Sequence, residues 1–230
     1  MINLSKIFTG AVFALAMAAR GFAGEAILFD DPSLIAYRDD GRIYGLYDAQ
    51  NEKFSCNFLF FEKSDGTSNS VIDGYTDTKL LTFIPDGDSF EFSNRDRDFD
   101  IDGDLYRRED EWIIRTSSGQ AGCENSAGGF IFKLGSMEAI KYHIARKFSS
   151  SGIRIVRSKT LLYDRRGKEF FTRRGYLAKW NAVVVLESQK QYSLIRFSDP
   201  RLNVESYGRV TTGWVHTSDL VNPLPPEAKH

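Results

Sequence analysis

Apolar residues alternate with polar ones along most of this chain, in short runs broken by clusters of Gly, Pro, Asn, Asp and Ser. The strongest run is Phe54-Ser55-Cys56-Asn57-Phe58-Leu59-Phe60-Phe61, which predicts a strand with aromatics on both faces. Leu80 to Ile84 and Ser89 to Phe92 predict two more strands, and Pro85-Asp86-Gly87-Asp88 between them has hairpin-turn chemistry. Gly41 to Tyr47 comes before these, and Trp112 to Thr116 and Gly129 to Phe132 come after, with Gly119, Gly122 and Gly128 marking turns. Short strands recurring about every ten residues predict a disulfide-bonded β-sandwich or barrel-like domain over residues 24–135.

One segment breaks the period of two. Met137, Ile140, Ile144 and Phe148 recur at spacings of three and four, which predicts a helix capped by Ser136 and ended by Ser149-Ser150-Ser151-Gly152. A helix over residues 136–151 would link two β domains. Alternation resumes in Ile153 to Val156, Lys159 to Tyr163, Ala182 to Leu186, Ser193 to Phe197 and Gly213 to Val215. The tail, residues 222–230, contains Pro223, Pro225 and Pro226 and reads as extended and disordered.

Parts of this second half resemble bacterial SH3-like domains. Leu161-Leu162-Tyr163-Asp164 resembles the first strand and its exit turn. Arg174 to Trp180 resembles the approach to a Lys-Gly-Asp turn, written here as Lys179-Trp180-Asn181. Gly213-Trp214-Val215 with Asp219-Leu220 resembles the closing strand and its 3₁₀ turn. The resemblance covers residues 152–221 and implies a small SH3-like barrel, a binding module of cell-envelope proteins. Tyr163, Phe171, Tyr176, Trp180 and Trp214 are many aromatics for so small a barrel, and those left exposed would mark its binding face.

The start of the chain agrees with that compartment. Lys6 precedes an apolar stretch from Ile7 to Ala19, and Gly21-Phe22-Ala23 places small residues where a signal peptidase reads them. The stretch is shorter than the ~20 residues that span a bilayer, so residues 1–23 read as a cleaved signal peptide and the product as periplasmic or secreted. Two cysteines, Cys56 and Cys123, in an oxidising compartment predict one disulfide, with a pair of free thiols as the alternative.

A net charge of −1, with 42% hydrophobic and 27% charged residues, supports a packed core and offers no electrostatic footprint for nucleic acid. Locally the charge is less even. Asp98, Asp100, Asp102, Gly103, Asp104 and Glu109 follow the D-x-D-x-D-G-x5-E order of a calcium loop, in which oxygens converge on one turn. A solvated acidic hairpin paired with Arg95, Arg97, Arg107 and Arg108 explains the same residues, and catalytic carboxylates are a third reading. Arg165-Arg166-Gly167-Lys168 and Arg173-Arg174 surround Phe170-Phe171 and suit an anionic partner. His143, His216 and His230 form no metal or triad motif, and no nucleophile signature is present. The expectation is an exported, non-catalytic envelope protein that needs no cofactor and binds a protein or peptidoglycan. An inhibitor or immunity role, with the acidic hairpin as plug, is its sharper form. The alternative is a wall-targeted hydrolase anchored by the SH3-like domain.

Overall fold

The computed structural model describes residues 24–63, 70–120, 122–126 and 128–226, so the expected signal peptide lies outside the described residues. The first sheet comprises β1 (Gly24–Phe29), β2 (Leu34–Asp39), β3 (Arg42–Gln50), β4 (Ser55–Glu62), β5 (Ser70–Ile72), β6 (Tyr75–Phe83), β7 (Ile101–Arg108), β8 (Glu111–Thr116) and β9 (Tyr142–Ser150). Its order is β4-β3-β2-β1-β9-β8-β7-β6-β5, and pairing of β4 with β6 closes it into a barrel from which β5 extends as a hairpin arm.

The period of two decides which residues fill the barrel. Ile27 and Phe29, Leu34 and Ala36, Ile43, Tyr47 and Ala49, Phe58 and Phe60, Leu80, Leu105, Trp112 and Ile114 form one buried cluster. Gly45 takes its place on the inward row because a Cβ there would stand 2.1 Å from the Phe60 ring. Cys56 and Cys123 are bonded, and the bridge ties β4 to a short helix, α1 (Cys123–Ser126).

The outward rows of the same strands are apolar too. Ala26, Ile35, Tyr37, Tyr44, Leu46, Leu59 and Phe83 cluster with Ile153, Ile155, Ala182, Val184, Val221 and Leu224 of the second sheet. Aromatics on both faces of Phe54 to Phe61 are thereby explained: one face fills the barrel and the other meets the second sheet.

The second sheet comprises β10 (Ile153–Val156), β11 (Thr160–Arg166), β12 (Glu169–Leu177), β13 (Ala182–Gln189), β14 (Tyr192–Ser198), β15 (Val210–His216) and β16 (Leu220–Val221). Its order is β12-β11-β15-β14-β13-β10-β16, and a 3₁₀ turn, Thr217–Asp219, joins its last two strands. The sheet curls around Val156, Leu162, Leu177, Val183, Val185, Ile195 and Val215. Backbone bonds lock it to the barrel: Gln50 N–H donates to Pro200 O at 3.0 Å and Leu202 N–H to Gln50 O at 2.6 Å. The Tyr207 hydroxyl adds a bond to Asp31 Oδ1 at 2.8 Å, and Phe90 meets Trp180 edge to face at 4.5 Å.

Three sequence expectations are corrected. Residues 136–148 are not a helix: the chain turns past Met137, which is 98% exposed, and enters β9. β9 lies between β1 and β8, where a helix would leave one edge of each of these strands unpaired and the barrel open. Ala145 is a bulge, with Leu28 opposite Arg146 and Phe29 opposite Ile144, so Ile144 packs toward the barrel core and Phe148 toward the second sheet. Met137 and Ile140 lie before β9, so the spacing of three and four joins residues with no common face. Ser89 to Phe92 and Gly129 to Phe132 are not strands either, and their Phe90 and Phe130 serve as buried plugs. The first stretch of the tail is packed, because Leu224 joins the cluster between the sheets.

Candidate functional site

β11, β14 and β15 turn a row of aromatics to the outer face of the second sheet. Register places Tyr163 and Leu194 on either side of Trp214, and Tyr192 opposite His216. In the β11–β12 hairpin, Arg165 stands opposite Phe170. That hairpin curls over its neighbours, so Phe170 stacks on Tyr192 at 3.9 Å with an 11° angle between planes and meets Trp214 edge-on at 5.3 Å. Tyr163 stands 5.3 Å from Tyr192 and 5.2 Å from His216 between ring centres, and its hydroxyl is 3.2 Å from His216 Nε2. The rings hold one another in fixed orientations, which lowers the entropy lost on binding.

Cations frame these rings. The Arg165 guanidinium lies 5.6 Å from the Trp214 ring. Arg165, Lys168, Phe170, Gln189, Lys190, Gln191 and Tyr192 line a cleft of about 750 Å³ that has no acidic residue in its wall. The β11–β12 hairpin, from Thr160 to Leu177, carries five basic and two acidic residues, so this hairpin is positive although the whole chain is near neutral. An interlocked aromatic cluster, mostly edge to face, with cations beside it can offer a ring edge or face to a ligand and hold an anionic group alongside.

The structure divides the five aromatics expected to bind. Tyr163 belongs to this face, whereas Trp214 is only 7% exposed and supports the face from behind, packed edge-on against Phe170. Phe171 points away from it, 44% exposed, with Arg166 5.5 Å from its ring. Tyr176 is 57% exposed beneath the Lys159 ammonium at 4.2 Å, in a separate cleft with Ala178, Asn181 and Phe197. Trp180 is at the junction with the barrel, against Phe90. Its φ of 77° is where the Lys-Gly-Asp pattern has Gly, and the indole occupies a wall between the sheets. Phe170, Tyr192 and His216 join this face through strand pairing and stacking. In the sequence only the basic cluster around Phe170 points to it.

The acids of the calcium-loop pattern are spread along the barrel. Asp98 is in a 3₁₀ turn, Arg97–Phe99, and Asp100 receives two bonds from Arg95, at 2.9 and 2.8 Å. β7 begins at Ile101, and alternation sends Asp102 to Lys63 at 3.0 Å and Asp104 to Lys79 and Arg115. Glu109 falls in the β7–β8 turn, at the far end of the strand. Gly103 packs against Arg115 O, where a Cβ would stand at 2.5 Å, so its role is close approach within the sheet. No group of three or more His, Cys, Asp or Glu side chains able to hold a metal ion occurs among the described residues. Asp100, Asp102 and Asp104 make separate ion pairs, as in the solvated-hairpin reading, and a strand spreads the oxygens that the calcium-loop reading would gather on one turn.

Two carboxyls at the junction of the sheets are displaced in opposite directions. Burial pushes Asp48 up to about 6, against the bonds from Gln50 and Asn57 that pull it down, and Asp199 adds to the rise. Bonds from Arg201, at 2.9 and 2.6 Å, hold Asp199 down at about 2. His143 is exposed on β9, and His230 lies outside the described residues. No helix among the described residues is long and apolar enough to cross a membrane. Compared with known proteins, the chain matches no family model, no curated protein and no solved structure.

Proposed function

We propose that this chain is an exported, non-catalytic binding protein of the bacterial cell envelope, and that the aromatic face of its second sheet takes an anionic cell-wall ligand. The observation that carries the reading is the ordered row Phe170, Tyr192, Trp214 and Tyr163 framed by Arg165, Lys168 and Lys190. The SH3-like assignment draws support from the 3₁₀ turn at Thr217–Asp219, where the resemblance expects one, and from the curled sheet that precedes it. Export draws support from the signal-like residues 1–23 and from the Cys56–Cys123 bond, which suits an oxidising compartment. The ion-paired acids of β7 offer little free negative charge for plugging a basic enzyme, so the basic face is the better candidate surface.

The test is co-sedimentation of the disulfide-bonded protein with purified peptidoglycan sacculi over a range of salt. Binding that weakens as salt rises, and that is lost when Arg165, Lys168 and Lys190 are together changed to Glu, supports the proposal. Binding indifferent to that triple change would move the ligand to another surface. An absence of binding to sacculi would exclude this ligand class.

A further inference from the structure

A second cleft, where the barrel meets the second sheet and the tail, contains charges that nothing above uses. It has a volume of about 380 Å³ and is lined by Tyr37, Asp39 and Tyr44 of the barrel, by Ser151 and Arg154, and by Asn222, Leu224, Pro225 and Pro226 of the tail. Arg95, Arg115 and Arg201 each have a carboxylate within ion-pairing distance. Arg154 has none among the described residues, and burial lowers its pKa. One of its N–H groups donates to Ile153 O at 2.8 Å. Its Nη1 also lies next to Gly152, where a Cβ would stand 2.8 Å away. A guanidinium presents five N–H donors, and a desolvated one without a counter-ion is costly to keep.

Asp39 lines the same cleft but does not reach Arg154. Its carboxylate lies beside the Tyr37 phenol, which burial, foremost, and the Asp39 charge push up to about 12. One positive and one negative group therefore share a small cavity without neutralising each other. The rest of the wall is polar at Ser151 and Asn222 and apolar at the rings of Tyr37 and Tyr44 and at Leu224, Pro225 and Pro226. Opposite charges held apart over an apolar floor complement a zwitterion with a hydrocarbon side chain.

From this geometry we infer that the cleft is a binding site for a free α-amino acid with an apolar side chain, its carboxylate on Arg154 and its ammonium on Asp39. The tail between Asn222 and Pro226 then has a role besides packing, as the wall that receives the side chain.

The test is calorimetric titration of the disulfide-bonded chain with leucine, 4-methylpentanoate, which lacks the amino group, and 3-methylbutylamine, which lacks the carboxylate. Leucine is expected to bind saturably, and each truncated analogue at least roughly tenfold more weakly. Arg154→Met and Asp39→Asn are each expected to weaken leucine by a similar factor. Backbone amide shifts in the unaltered protein, centred on Ser151, Gly152 and Asn222, locate the site independently of whether the variants fold. Absence of saturable leucine binding, shifts centred elsewhere, or equal binding of 4-methylpentanoate would overturn the assignment.

Discussion

Changing Asp48 to Asn removes a carboxyl held between the barrel and the second sheet with its side chain almost wholly buried. In the folded protein this group titrates at about 6, against 3.8 for an ordinary Asp, chiefly because burial disfavours its charged form. The folded state therefore holds the proton more tightly than the unfolded state. Stability from this group is fully present below about pH 4 and is lost as pH rises through about 6. A rise from 3.8 to about 6 corresponds to about 3 kcal/mol at 1.36 kcal/mol per pH unit. Asn keeps the carbonyl oxygen that accepts from Gln50 Nε2 at 3.0 Å, so the neutral interaction survives the substitution. Asp48→Asn should leave stability almost unchanged near pH 4 and raise it by about 2–3 kcal/mol near pH 7.5. Urea unfolding of both proteins at the two pH values measures this. Parallel pH profiles for the variant and the parent would refute the reasoning, as would a variant less stable at the higher pH.

Trp180 makes a second test, since its φ of 77° favours Gly while its ring packs on Phe90. Both Trp180→Ala and Trp180→Gly should destabilise, but the Gly variant should be the more stable of the two by about 1 kcal/mol in urea unfolding, reversing their usual order. Gly45→Ala places a Cβ 2.1 Å from the Phe60 ring and should cost at least about 2 kcal/mol, read as a lowered urea midpoint. Opening the Cys56–Cys123 bond, which spans 67 residues, should cost about 4 kcal/mol on the chain-entropy account, measured by unfolding of the Cys56→Ala/Cys123→Ala variant.

Strand-rich character and the disulfide were legible because both are local signals. β3, β4, β8, β10 and β13 carry runs of apolar residues that alternation or β-branching marks directly. β9 was not legible, because Met137 and Ile140 before the strand fall in step with Ile144 and Phe148 within it, and the Ala145 bulge sends those last two to different faces. Its strand identity comes from the partners waiting on either side, a nonlocal cause. The calcium-like spacing failed for the converse reason: the order of acids was real, but pairing with β6 and β8 stretched it into a strand. At the candidate site, Tyr163 and Trp214 were found by residue type, whereas Phe170 and Tyr192 come from different strands and meet only through the curl of the hairpin. The charges of Arg154 and Asp39 are distant in sequence, on β10 and β2, and share a cleft only because the two sheets pack together.

The central claim is that the Phe170–Tyr192 face, rather than exposed aromatics in general, is the binding surface. Its most direct test compares Tyr192→Ala with Tyr176→Ala in the co-sedimentation assay, because Tyr176 is the more exposed ring and lies in a separate cleft. The account predicts that Tyr192→Ala weakens binding to sacculi by roughly tenfold while Tyr176→Ala leaves it within about twofold. The reverse order, or equal losses, would contradict it.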